Sequence, residues 1–90
     1  MEQNYPNPFN PTTKIRFSVP SQLRGSSLSS NVTLKVFDIY GNEIATLVDG
    51  ELNSGEHSVV FDATGLPIGE YFYRLSSPTF SQTKSMGIIK

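Results

Sequence analysis

Cysteine and tryptophan are absent from this 90-residue sequence, and histidine occurs once, at His57. Without cysteine the chain forms no disulfide and offers no thiolate as a nucleophile or metal ligand. Asp49 and Glu51 lie in a short acidic stretch, but calcium requires about six to eight oxygen ligands and no EF-hand spacing occurs. We therefore expect neither a metal site nor a bound cofactor.

Excess positive charge is also missing, since seven basic residues stand against eight acidic ones and the formal net charge is −1. Nucleic-acid binding is disfavoured, because too few cations are present to replace the counterions of a phosphate backbone. No apolar run approaches the roughly 18 residues that span a bilayer, so stable membrane insertion is not expected. The first eleven residues lack the basic-then-apolar order of a signal peptide. We expect Met1 to be an initiator added to an excised domain, with any export signal upstream in the parent protein.

The sequence is instead rich in two-residue alternation of apolar and polar side chains, which is typical of half-buried strands. In Thr12–Val19, for example, Ile15 and Phe17 share one face with Val19. The same pattern predicts five further strands, at Val32–Val36, Glu43–Val48, His57–Asp62, Tyr71–Ser76 and Phe80–Ile89. No window shows a helical stripe. We therefore predict an all-β, immunoglobulin-like antiparallel β-sandwich of about seven strands, in which residues 1–90 form a single domain.

Segments rich in serine, glycine and asparagine separate these strands and predict loops or turns at Ser21–Asn31, Asp38–Asn42 and Asp49–Gly55. The alternation also predicts which side chains face inward. The predicted core comprises Ile15, Val32, Leu34, Phe61, Tyr71 and Leu75, with Met86 and Ile88 as the inward pair of the last strand.

Two turns contain residues with predicted structural roles. Asp38 can accept hydrogen bonds from the backbone N–H groups ahead of it, and Gly41 suits a position of positive φ. Pro67 and Gly69 form a tight turn just before Tyr71. This pattern resembles the tyrosine corner of immunoglobulin-like sandwiches, in which the phenol bonds to upstream backbone. The alternative is a core aromatic residue with its hydroxyl at the rim.

The N-terminal segment, residues 1–11, has three prolines within residues 6–11. Proline fixes φ, donates no N–H and biases the preceding residue towards extended geometry. We therefore predict a stiff, irregular lead-in that uses Tyr5 and Phe9 as apolar pins.

Three segments together resemble a known family. Asn4–Thr13 (NYPNPFNPTT) resembles the opening motif of the C-terminal sorting domains of type IX, or Por, secretion. Val36–Ile44 (VFDIYGNEI) resembles their central strand-turn-strand motif, and Leu66–Leu75 (LPIGEYFYRL), with the apolar tail that follows, resembles their closing motif. In this order and spacing the three motifs span nearly the whole chain. The loop Ser21–Asn31 is longer than the link that usually occupies this place in the family.

The resemblance implies a non-catalytic sorting and anchoring signal at the C-terminus of an exported cargo protein. The implied partners are the type IX secretion translocon, the surface-anchoring machinery and a cargo domain N-terminal to this one. The cargo is then secreted or held at the cell surface after passage through the periplasm. The sandwich is also similar to the immunoglobulin-like domain of flagellar hook-capping proteins. Its terminal strands are edges, so we expect a monomer or a strand-exchanged dimer.

Candidate recognition residues lie near both ends of the chain. They are Asn7, Pro8, Phe9, Asn10, Lys84 and Lys90. The proline-rich group is either a recognition epitope or a stiff plug over one end of the sandwich. The two lysines either contact secretion machinery or are solvated edge residues that deter strand addition.

Two other classes of function are open. Phe37, Tyr40 and Phe72 would form a sugar-stacking strip if the domain were a carbohydrate-binding module, and an immunoglobulin- or fibronectin-like spacer would need no site. The absence of tryptophan counts against sugar stacking. An enzyme is less supported, since a triad around His57 needs a converging serine and carboxylate and no serine lies in a nucleophile-elbow sequence.

Overall fold

Six strands make up most of the computed structural model, which describes residues 1–19, 29–78 and 80–89, without the side chains of residues 29 and 30. The strands are β1 (Thr12–Val19), β2 (Ser29–Phe37), β3 (Glu43–Asn53), β4 (Gly55–Asp62), β5 (Gly69–Ser76) and β6 (Ser81–Ile88). All pairs are antiparallel and form two sheets, with the orders β1-β4 and β3-β2-β5-β6. The predicted all-β sandwich is confirmed, with six strands in the described residues instead of about seven. No helix in that part of the chain is long and apolar enough to cross a membrane.

The two longest strands differ from their predicted limits. Residues 21–28 of the predicted loop lie outside the described residues, but its end belongs to β2, where Asn31 pairs with Glu51. The predicted turn at Asp49–Gly55 is reduced to Ser54, because β3 continues to Asn53. Pairing with β2 gives this polar stretch backbone partners that outweigh its turn propensity. Gly55, at φ 120°, then lets the chain turn into β4.

The core consists of the side chains that alternation placed on the inner faces. In β1 every second residue is buried, from Thr13 to Val19. The buried apolar residues are Phe9, Ile15, Phe17, Val19, Val32, Leu34, Val36, Phe61, Ala63, Tyr71, Tyr73, Leu75, Met86 and Ile88. All of the predicted core residues are among them. Each large side chain contributes about 1.5–3 kcal/mol by leaving water, which favours the register of the strands that contain these residues.

The two sheets are connected in different ways along the two sides of the sandwich. On one side β3, an edge of the larger sheet, continues through Ser54 into β4 of the smaller sheet. On the other side β1 and β6 are edges that each pair with a single strand. The lead-in runs between these two edges and bonds to both of them. This arrangement places the N-terminal segment beside the last strand.

The terminal seam as a candidate recognition site

The first part of the lead-in extends the smaller sheet at the edge of β1. The Tyr5 N–H donates to the Lys14 carbonyl over 3.0 Å, and the Lys14 N–H donates back over 2.9 Å. Cross-strand partners project from the same face of a sheet, and the Lys14 side chain faces outward. Tyr5 is therefore 81% exposed, and its predicted role as an apolar pin is wrong.

Asn4 is the residue of this segment that is buried, with 2% of its surface exposed. Its backbone N–H donates to Tyr73 Oη over 2.9 Å, and the Tyr73 hydroxyl in turn donates to the Glu2 carbonyl over 2.9 Å. Burial raises the pKa of Tyr73, and the hydrogen bond from Asn4 opposes that rise only in part. The hydroxyl therefore stays protonated and joins the lead-in to the centre of the larger sheet.

The side chain of Asn4 completes a small polar network inside the sandwich. Its Nδ2 donates to Thr13 Oγ1 and to the Pro6 carbonyl, each over 3.0 Å. Thr13 Oγ1 donates to the same Pro6 carbonyl over 2.8 Å. Among the described residues no buried side-chain polar atom lacks a partner. Such satisfied networks favour a single arrangement of the groups that they join.

The second part of the lead-in pairs with the end of β6. Phe9 and Ile88 form a parallel bridge, in which the Phe9 N–H donates to the Gly87 carbonyl and the Ile89 N–H donates to the Phe9 carbonyl, each over 2.9 Å. The Asn7 side chain accepts a hydrogen bond from the Gly87 N–H over 2.9 Å. We call this junction of residues 7–10 with residues 85–89 the terminal seam.

Phe9 holds the terminal seam from the inside, as the predicted apolar pin. Its side chain is 1% exposed and packs edge-on against Phe61, with the ring centroids 6.1 Å apart. An aromatic pair of this kind contributes about 0.5–1.5 kcal/mol beyond the burial of its area. The side chain of Phe9 therefore positions the terminal seam and is not part of its outer surface.

The other predicted recognition residues have different environments. Asn7, Pro8 and Asn10 are exposed, and Asn7 and Pro8 border a shallow cavity of about 370 Å³ together with Glu70 and the end of β6. Lys84 is half-buried in β6, opposite Tyr73. Lys90 lies outside the described residues. The fold thus brings residues 7–10 to the last strand, and Lys84 lies on that strand shortly before the terminal seam.

Asp38 and Gly41 lie in the turn between β2 and β3. The Asp38 carboxylate accepts hydrogen bonds from the Tyr40 and Asn42 N–H groups, each over 2.9 Å, and Gly41 has φ 85°. These bonds, with that from Asn42 first, hold the pKa of Asp38 below its usual value.

Tyr71 bonds back to the turn that precedes β5. The Tyr71 hydroxyl donates to the Pro67 carbonyl over 2.9 Å, and Gly69, at φ 148°, lies between them in the turn. This bond fixes the start of β5, which pairs with β6 beside the terminal seam.

The alternative sites have structural contacts of their own. Phe37 and Phe72 are cross-strand partners, and the Arg74 guanidinium covers Phe37 at 5.0 Å from the ring centroid. His57 stacks on Phe17 with centroids 5.6 Å apart, and its Nε2 lies 2.8 Å from the Asn53 carbonyl oxygen. These contacts give Arg74 and His57 packing roles.

The molecule is thus an antiparallel β-sandwich whose own N-terminal segment closes the edge beside its last strand. Residues 3–90 match a protein family described as the secretion system C-terminal sorting domain. The chain belongs to this family, which acts as the sorting signal of type IX secretion, and the predicted membership is confirmed. No curated protein and no solved structure matches the chain. Family membership implies export of the attached protein and a secreted or cell-surface fate.

Proposed function

We propose that residues 1–90 act as one sorting domain, with residues 1–11 as its lead-in, for a cargo domain attached N-terminally. The domain takes its cargo from the periplasm through the type IX translocon to the cell surface, where the anchoring machinery acts on it. The translocon reads the terminal seam, and no step of this process requires catalysis by the domain itself.

The pairing of the two chain ends is the observation that supports this proposal. Phe9 and Ile88 are far apart in sequence, yet their backbones are bridged. A surface assembled from both ends exists only when the intervening strands have folded. A translocon that binds this surface would therefore distinguish a folded domain from an unfolded one. The surface would also lie close to the point where the cargo is attached.

The readable part of the terminal seam consists of exposed groups on a fixed backbone. Asn7, Pro8 and Asn10 provide amide groups and a rigid ring, and the bond from Gly87 to Asn7 fixes one of those amides. Fixed groups bind with less loss of conformational entropy than mobile ones. Lys84, which lies in β6 shortly before the terminal seam, and Lys90, near the C-terminal end of the sequence, add positive charge as contacts for the secretion machinery.

Export of a fusion protein tests this function. A passenger protein is fused to the N-terminus of the domain, expressed in a host with type IX secretion, and assayed in periplasm, surface and medium. The double variant Asn7→Ala/Asn10→Ala changes the terminal seam, and Asn53→Ala removes an exposed asparagine at the far end of β3 as the control.

We expect the wild-type fusion and the Asn53→Ala control to leave the periplasm and the double variant to accumulate there. The loss of one hydrogen bond lowers stability by only about 1 kcal/mol, so the variant remains folded. Equal export of all three fusions would refute reading at the terminal seam. A wild-type fusion that stays in the periplasm would refute the function itself.

A further inference from the structure

Four large apolar side chains are exposed at one end of the sandwich. Ile39 and Tyr40, in the turn between β2 and β3, are 59% and 83% exposed. Ile68, which precedes β5, is 61% exposed, and Ile89, which follows β6, is 49% exposed. We call these four residues the apolar end.

Strand register shows that the four residues share this end. Phe37 is the last residue of β2 and pairs with Phe72, so the start of β5 extends past Phe37 on the same side as the turn. Gly69 pairs with Ile88 as the outermost pair of β5 and β6. Ile68 directly precedes Gly69 and Ile89 directly follows Ile88, so both lie just beyond this outermost pair.

The fold does not depend on the two apolar side chains of the turn. Gly41 donates its N–H to the Asp38 carbonyl over 3.1 Å, and the Asp38 carboxylate binds two further N–H groups of the turn. These bonds need no particular side chain at Ile39 or Tyr40, and turns favour polar residues at such positions. Exposed isoleucine and tyrosine here contribute little to folding. A cluster of exposed apolar residues is typical of a contact surface.

Three acidic side chains lie towards the apolar end, and one basic side chain, Arg74, lines a shallow cavity with Asp38 and Ile39. Asp38 is in the same turn, Asp62 ends β4 beside Phe61, and Glu70 is the second residue of β5. In the part of the chain that the structure describes, the one ion pair joins Lys35 to Glu43, so none of these three carboxylates forms an ion pair, although Asp38 and Asp62 accept hydrogen bonds within their own turns. A partner with basic residues around an apolar centre would complement this end in charge.

We propose that the apolar end is a docking surface for a protein of the export machinery that presents an apolar patch with a basic rim. The inference rests on the function proposed above and adds a second contact to the terminal seam. Ile89 belongs to both surfaces, which makes them continuous. An anionic membrane is disfavoured because the carboxylates repel its headgroups, and a second copy is disfavoured because two acidic ends would face each other.

Two variants with matched losses of apolar surface test the proposal in the same fusion assay. Tyr40→Ser/Ile68→Ser removes side chains that are 83% and 61% exposed at the apolar end. Tyr5→Ser/Val60→Ser removes side chains that are 81% and 62% exposed on the outer face of the smaller sheet. Both variants should melt within a few degrees of each other, since the exposed side chains contribute little to folding.

We expect the Tyr40→Ser/Ile68→Ser fusion to be exported about tenfold more slowly than wild type, as for the loss of a central aromatic contact. The Tyr5→Ser/Val60→Ser fusion should match wild type. Equal rates for the two variants would overturn the docking surface while leaving the proposed function standing. Failure of the wild-type fusion to be exported would overturn both.

Two further measurements test the choice of partner. Glu70→Gln should slow export severalfold, and Glu51→Gln, on the far part of β3, should not; an unchanged rate for Glu70→Gln would refute the basic rim. The purified domain is also sedimented with phosphatidylglycerol vesicles and run by analytical ultracentrifugation. We expect no binding and no dimer, and vesicle binding or dimerisation that Tyr40→Ser abolishes would overturn the proposal.

Discussion

Tyr73→Phe removes the hydroxyl oxygen that joins the lead-in to the centre of the larger sheet. The ring is fully buried and the substitution leaves its shape unchanged. What disappears is the acceptor of the Asn4 N–H and the donor to the Glu2 carbonyl. The substitution therefore measures what the hydrogen bonds of the lead-in contribute to stability, separately from its apolar packing.

The magnitude follows from the burial of the groups that lose their partner. The Asn4 N–H is buried, and leaving such a group unsatisfied lowers stability by about 1–3 kcal/mol. The lost bond to the Glu2 carbonyl adds about 1 kcal/mol, so the expected total is about 2–4 kcal/mol. A domain of 90 residues has a free energy of unfolding of about 5–13 kcal/mol, so this loss is large.

Urea unfolding monitored by circular dichroism measures the loss of stability. An unchanged dependence of the unfolding free energy on urea concentration would show that both proteins unfold in the same two-state transition. Tyr71→Phe is the control, since its hydroxyl bonds to the partly buried Pro67 carbonyl and its loss should lower stability by about 1 kcal/mol. Deletion of residues 1–4 should abolish most of the effect of Tyr73→Phe. If Tyr73→Phe is no worse than Tyr71→Phe, or is equally harmful after the deletion, the lead-in is not joined to the core in this way.

Three further changes test other parts of the fold. Phe9→Ala should lower the unfolding free energy by about 3–5 kcal/mol and speed hydrogen exchange of the Ile89 amide, as measured by urea unfolding and NMR. Gly41→Ala meets no steric contact, but its φ of 85° should lower stability by about 1 kcal/mol, or roughly 4–8 °C in the melting temperature. Hydrogen bonds lower the pKa of Asp38 in the folded protein. The stability that Asp38 contributes is therefore complete above its unfolded pKa of 3.8, and it is lost as the pH falls through the lower pKa of the folded state. Asp38→Asn should therefore flatten the acid side of the stability–pH curve, and an unchanged curve would contradict this.

The inner faces of the strands were predictable from sequence because the side-chain period of a strand is two. The burial of Ile15, Leu34 and Leu75 follows from alternation alone. The ends of strands depend instead on their partners. Asn31 and Glu51 are polar and read as loop or turn, but each is a strand residue because the other lies opposite.

The lead-in was only half predictable, for the same reason. Phe9 is apolar and is buried, whereas Tyr5 is apolar and exposed because its backbone pairs with the outward-facing Lys14. Asn4 was missed, since its partner Tyr73 is 69 residues away and no local pattern indicates the pair. One signal was available: alternation places both Thr13 and Tyr73 on inner faces, where their hydroxyl groups require polar partners.

Covering the edge of β6 has a consequence for how a partner meets this domain. An uncovered edge strand presents free N–H and C=O groups that invite pairing with another chain. Here Gly87 and Ile89 already bond to the lead-in, so a partner meets side chains at this point instead of an open backbone. Because the Ile89 amide donates to the Phe9 carbonyl, the placement of its exposed side chain depends on the lead-in. A protein that docked on the apolar end would therefore also detect whether the lead-in is in place, which contacts to Ile39 and Tyr40 alone would not reveal.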